Sequence, residues 1–175
     1  MHCGKIKGHK GRHLCECGYR KWKRYQYLME IGSYYGIWML DFIILTERWV
    51  TSIHKGQMYG NKPYIVHLKG VADKLKDKRS KIVALLHDSV EDGKTTLKEI
   101  SKRFGNGIAI DIDALTRRNN EGYDAYIKRV SEASDTAKEV KIADLEYNLE
   151  QTDGLKGSLK PRYQKALKIL RGALK

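Results

Sequence analysis

The sequence predicts an all-α protein, and two observations carry that expectation. From Trp38 onward, apolar residues recur at the i, i+3, i+4 and i+7 spacing that lines one face of a helix. No run alternates apolar and polar residues in the way a half-buried strand does.

The elements follow in order. Trp38, Phe42, Leu45 and Trp49, flanked by Met39, Ile43, Val50 and Ile53, give a broad apolar face to a first helix. Its most hydrophobic part, IWMLDFIILTERWV at 37–50, is broken by Asp41, Glu47 and Arg48. A membrane span needs roughly 20 apolar residues, so this segment is expected to be a core helix. A Gly-rich loop, HKGQMYGNKP, ends at Pro63. A second helix is expected from about Tyr64, with Ile65, Leu68, Val71, Ala72 and Leu75 as its buried stripe. Further helices are expected at about 79–91, 95–104, 107–117, 122–133, 136–151 and 161–173.

Residues 1–35 have another character. They hold eight Lys and Arg against two acids, which gives this basic Cys/His-containing segment +6 of the chain's net +13. It reads as an N-terminal appendage to a domain over 36–175. All three cysteines, Cys3, Cys15 and Cys17, lie here, an odd count without the spacing of a disulfide framework, and a reducing cytoplasmic setting is expected. His2, His9 and His13 add soft ligands, although CEC is tighter than the CxxC turn of structural zinc sites. The N-terminus has no apolar stretch resembling a signal peptide. The charge by itself suits nucleic acid, a membrane surface or a phosphate-rich small molecule.

Chemistry concentrates in the helical part. In ALLHDSVED, at 84–92, His87 and Asp88 follow directly on buried-type residues, and Glu91 and Asp92 come one turn later. At 100° per residue the four span about 140° of one helix face. Such a cluster beside an apolar segment repels itself unless a cation neutralises it, so a divalent metal is the economical expectation. Imidazole with carboxylate suits manganese, iron, zinc or cobalt better than calcium. In VKIADLEYNLE, at 140–150, Asp144 interrupts an apolar run and Asn148 stands one turn on. His67 sits at the edge of its own helix's apolar stripe.

The order His67, then His87-Asp88, then Asp144 resembles the metal signature of the HD-domain phosphohydrolases. HKGQMYGNKPYIVH, ALLHDSVEDGKTTLKEISKRFG, DALTRRNNEGYDAYIKRV and VKIADLEYNLE are similar, in order, to segments of the hydrolase domain of RelA/SpoT-type enzymes and small alarmone hydrolases. The resemblance covers about 40–152 and implies an HD-type helical bundle that holds one divalent ion, usually manganese. It further implies removal of pyrophosphate from the ribose 3′ position of guanosine tetra- or pentaphosphate. By matching position, it makes His67, His87, Asp88 and Asp144 the metal ligands. Glu91 and Asp92 orient or deprotonate the attacking water, and Asn148 completes the ion's outer shell.

A polyphosphate also needs cations around it. The candidates are His54, Lys55, Lys62, Arg117 and Arg118, with Tyr123 and Tyr126 to pack against a base or ribose. Competing expectations are another HD nucleotidase, a dNTP triphosphohydrolase, or an inactive nucleic-acid-binding or regulatory module. Intact residues at all four ligand positions argue against the last. Nucleic acid is otherwise expected only at the basic segment 1–35, where GYRKWKRYQYL mixes basic and aromatic residues.

Overall fold

Local sequence sets where the helices begin and end. In a computed structural model, which describes residues 36–151 and 159–174, eight helices appear in the expected places. They are α1 (Gly36–Ile53), α2 (Ile65–Asp73), α3 (Lys78–Leu86), α4 (Leu97–Phe104), α5 (Asn106–Leu115), α6 (Tyr123–Ser131), α7 (Asp135–Glu150) and α8 (Leu159–Ala173). Asp77, Thr96 and Ser134 cap α3, α4 and α7 by accepting the backbone N–H of Ser80, Glu99 and Ala137. Gly105, at φ +88°, turns the chain between α4 and α5, a conformation that L side chains rarely adopt.

Two expectations are corrected in detail. The loop after α1 closes into a short antiparallel ladder, β1 (Met58–Tyr59) with β2 (Lys62–Pro63), turned by Gly60 at φ +58°. The third helix, expected to reach residue 91, stops at Leu86, and His87–Gly93 follow as turns. The fold class is unchanged: among the described residues the ladder is the one sheet.

The core is arranged around α3. Ile82, Val83, Ala84, Leu85 and Leu86 are all 0% exposed, so the second half of this helix is apolar all round and lies inside. α1, α2 and α7 pack against it, and α4 and α5 close the same cluster with Ile100, Phe104, Ile108 and Ile112. A smaller cluster joins α6, α7 and α8 through Tyr126, Ile127, Val130, Leu145, Leu167 and Leu170. α7 therefore has one flank in each cluster, and the site forms where it meets α2 and the end of α3. Among the described residues no helix is long and apolar enough to cross a membrane. The basic segment 1–35, with its zinc and nucleic-acid expectations, lies outside the described residues.

Candidate metal centre

A helix end leaves its last carbonyls without intrahelical partners. At the end of α3 the ring of His87 supplies one, because Nδ1 lies 2.7 Å from the Ala84 carbonyl oxygen. A carbonyl can only accept, so Nδ1 carries the proton and the Nε2 lone pair is left facing the site. The helix stop at Leu86 thus fixes a tautomer.

Three further donors meet that lone pair. Asp88 Oδ2 lies 3.1 Å from His87 Nε2 and 3.5 Å from Nε2 of His67, in the first turn of α2. Asp144 Oδ1, on α7, lies 3.4 Å from His67 Nε2 and 3.8 Å from His87 Nε2. His67, His87 and Asp144 are buried and Asp88 is partly so.

This donor set fits a divalent ion. With bonds of about 2.1 Å, neighbouring ligands of a six- or four-coordinate ion lie about 3.0–3.4 Å apart, close to the observed spacings. His87 Nε2 is buried without a hydrogen-bond partner among the described residues. A buried polar atom left so is costly unless something else binds it.

The ionisation states agree. Burial disfavours charge on Asp88, yet the two imidazoles hold its carboxyl well below the usual range. Burial likewise opposes an ionised Asp144, but the Lys141 ammonium and His87 bring it below the ordinary carboxylate range. Burial lowers the affinity of His87 for a proton, and Asp88 and Asp144 more than reverse this. Nδ1 is committed to the Ala84 carbonyl, so without an ion that proton sits on Nε2, and a divalent cation would displace it and take up the lone pair. Two phenols stay neutral: burial and then Asp88 push Tyr64 far above its usual range, and burial and then Asp144 push Tyr59 up to about 12.

Supporting groups orient the ligands. Tyr64 donates to Asp88 Oδ2 at 2.5 Å. Asn148 Nδ2 donates to Asp144 Oδ1 at 2.7 Å, and its own Oδ1 accepts from Tyr59 Oη at 2.6 Å. The Tyr59 ring stacks on His67 with centroids 4.7 Å apart and 14° between planes. Lys141 Nζ donates to Asp144 Oδ2 at 2.8 Å.

The acidic pair does not share the helix face drawn from an ideal 100° step, because the backbone leaves α3 before reaching it. Glu91 Oε2 accepts the backbone N–H of Arg117 at 2.8 Å, while Asp92 Oδ2 accepts Gln57 Nε2 at 2.6 Å. Both side chains are exposed at the turn that also carries Asp88.

The substrate candidates divide. His54 is 3% exposed, with Nδ1 2.9 Å from Gln57 Oε1, Nε2 3.3 Å from Ser89 Oγ and its ring stacked on Tyr64. Both nitrogens are engaged inside the protein, so His54 braces the turn that carries Asp88. Tyr126 is also interior, donating to the Leu115 carbonyl at 2.5 Å. Lys55, just before the hairpin, and Lys62, on β2, are exposed. Arg117 folds back on its own loop through two bonds to the Glu121 carbonyl, at 2.9 and 2.7 Å, whereas Arg118 remains 62% exposed. Tyr123 lines a cavity of about 580 Å³ with Gly122, Asp124, Pro161, Arg162 and Lys165.

Sequence reasoning missed Tyr59, Tyr64 and Lys141. Lys141 carried a signal, a lysine within an apolar run one turn before an acid ligand. Tyr59 and Tyr64 carried none, since an irregular loop brings them to the site.

No protein-family model matches the chain. A protein named guanosine-3′,5′-bis(diphosphate) 3′-pyrophosphohydrolase MESH1, from Danio rerio, is 31% identical over 120 residues, which are 61% of this chain and 67% of that protein. The chain belongs to the MESH1 family. The human MESH1 is 37% identical over 97 residues, 54% of its length. A guanosine-3′,5′-bis(diphosphate) 3′-pyrophosphohydrolase from Aquifex aeolicus is 36% identical over 89 residues, but the match spans only 12% of that protein. A GTP pyrophosphokinase from Myxococcus xanthus is matched over 14% of its length. A solved structure described as "a metazoan ortholog of SpoT" that "hydrolyzes ppGpp" superposes with a TM-score of 0.63 at 22% identity, covering 82% of this chain and 89% of that one. That likeness shows that the two chains share a fold.

Proposed function

We propose that the chain is a metal-dependent phosphohydrolase that removes the 3′-pyrophosphate from guanosine tetra- or pentaphosphate in the cytoplasm. One divalent ion, manganese, is held by His67, His87, Asp88 and Asp144. The observation that carries this reading is the meeting of two imidazoles and two ionised carboxylates around a buried lone pair with no hydrogen bond. Membership of the MESH1 family and the activity in its relatives' names supply the substrate class.

A bound divalent ion lowers the pKa of water and offsets charge on phosphoryl oxygens. The chain's own residues do the rest. Glu91, its carboxylate oriented by the Arg117 N–H, takes the proton of the attacking water, and Asp92, held by Gln57, keeps the water in line. The new bond forms between water oxygen and the phosphorus attached to O3′. The P–O3′ bond breaks, O3′ takes up the proton held on Glu91, and pyrophosphate leaves together with guanosine 5′-diphosphate, or 5′-triphosphate from the pentaphosphate. Asn148 keeps Asp144 aimed at the centre. Lys55, Lys62 and Arg118 offer charge to the remaining phosphates, and Tyr123 borders the cavity for the nucleoside.

Product analysis with manganese-loaded protein tests the reading. Pyrophosphate from guanosine tetraphosphate is expected, and the adenosine counterpart reports base preference. Tripolyphosphate from a dNTP, or orthophosphate from a monophosphate, would assign the chain to another nucleotide hydrolysis. No hydrolysis, together with RNA binding of steep salt dependence, would remove the enzyme reading altogether.

A further inference from the structure

Lysine side chains ordinarily carry their ammonium to water. Lys141 does not. It lies on α7 one turn before Asp144, its side chain is 14% exposed, and its Nζ donates to Asp144 Oδ2 at 2.8 Å with the Tyr126 ring centre 5.3 Å away. The two oxygens of Asp144 are therefore divided. Oδ2 meets the ammonium, while Oδ1 takes the Asn148 amide at 2.7 Å and faces both imidazoles.

Taking an ammonium out of water is costly, and replacing a buried ion pair by apolar groups is often neutral or stabilising. Stability alone is thus a weak reason for this lysine, and the charge count offers a better one. Asp88 and Asp144 bring two negative charges, which a divalent ion would neutralise. Lys141 adds one more positive charge that water scarcely screens. We infer that Lys141 is a positioning residue that takes the set of Asp88, Asp144 and a divalent ion from neutral to +1, so that the loaded metal site attracts a polyanionic phosphate ester beside the carboxylates of Glu91 and Asp92. The inference rests on the proposed function, and it assigns part of the polyphosphate affinity to a side chain that does not touch the substrate.

Charge and bracing predict different outcomes. An ammonium beside the centre repels the metal cation and attracts the polyanion, so its removal should shift the two affinities in opposite senses. A lysine that only braced Asp144 would, once lost, weaken both. Asn148 still aims Oδ1 when the lysine is gone, and Glu91 and Asp92 are common to all variants.

The experiment uses the full chain with Lys141→Met, Lys141→Gln and Lys141→Arg, each checked by thermal denaturation. Manganese affinity is measured by chelator competition, and binding of inorganic pyrophosphate to the manganese-loaded protein by calorimetry, both without turnover. KM and kcat for guanosine tetraphosphate are measured alongside. For the Met and Gln variants, manganese binding as tight as in the parent or tighter is expected, with pyrophosphate binding and KM at least tenfold weaker and kcat less affected. Arg should restore the parent values. A fall in both affinities together, or no change in pyrophosphate binding, overturns the inference. If the parent protein hydrolyses no nucleotide while pyrophosphate binding still depends on Lys141, the inference stands and the substrate reading falls. If the parent protein binds no manganese, both fall.

Discussion

His87 shows how much a single side chain settles. Its Nδ1–H bond to the Ala84 carbonyl satisfies a helix end and turns the other nitrogen toward three more donors. His87→Ala and Asp88→Ala should lose at least a hundredfold in manganese affinity and all measurable hydrolysis while the far-ultraviolet circular dichroism keeps its helical form. A variant of either kind that still turned over would remove the assigned ligand set. His54 behaves differently because it is interior. His54→Ala should cost about 2–4 kcal/mol of stability by opening a cavity and orphaning Gln57 and Ser89, read as a lower urea midpoint. Lys55→Ala, at the exposed neighbouring position, should leave the midpoint unchanged.

His67, His87, Asp88 and Asp144 stand out in the sequence because each is an acid or imidazole in or beside an apolar helix, and the fold brings the four together; their role as ligands belongs to the proposal. Glu91 and Asp92 were legible as residues but not in direction, since only a continued helix would have placed them on the ligand face. Tyr59 and Tyr64 were illegible. They reach the site from the hairpin loop, whose path depends on contacts with α2 and α7 that no local period encodes.

At the scale of elements, the site depends on how closely α2 and α7 approach. Gly70 is the contact: a Cβ built there would lie 1.9 Å from Cε2 of Tyr147. Tyr147 in turn lies edge-on to His67, with ring centroids 5.2 Å apart. Gly70→Ala must displace that ring or separate the helices, at a cost of about 1–3 kcal/mol. Manganese affinity should fall with stability in this variant, because His67 and Asp144 ride on the two helices. Loss of stability with unchanged affinity would show that the site tolerates the shift.

The loop between α5 and α6 gives a second test, in pH. The Arg129 guanidinium, with the Arg118 backbone N–H, brings the Glu121 carboxyl down to about 2 from 4.5. A group whose folded pKa is lowered adds stability above its unfolded pKa and loses it as pH falls through the folded one. The clamp's contribution is therefore full above about pH 4.5 and fades toward pH 2. Glu121→Gln should flatten the dependence of the urea midpoint on pH in that window and lower the midpoint at neutrality. A parallel curve would mean that the clamp adds nothing. The loop's Arg117 and Arg118 were expected to meet substrate, and the fold explains why Arg117 is otherwise engaged: its guanidinium closes the loop that Arg129 then anchors.

Across the whole molecule, the net charge of +13 first pointed to polyanions in general. The excess lies at the two ends, +6 in residues 1–35 and +7 in residues 154–175, while the described centre is a set of carboxylates that needs a cation before it can accept a phosphate. Metal binding and stability are for that reason linked. Asp88, Asp144 and His87 are braced from outside by Tyr64, Asn148, Lys141 and the Ala84 carbonyl, and an ion that binds the folded chain and not the unfolded one stabilises it by mass action. At a free manganese concentration 100 times the dissociation constant the gain is about 2.7 kcal/mol, which for a domain of this size raises the melting temperature by roughly 5–10 °C. Differential scanning calorimetry with and without a chelator should show that rise. It should disappear in Asp144→Asn, because an amide supplies no negative charge to the ion, yet persist in Glu91→Gln, whose carboxylate is assigned to water and not to metal. A rise that survived in Asp144→Asn would place the ion elsewhere in the chain and break the connection between the buried Nε2 of His87 and catalysis.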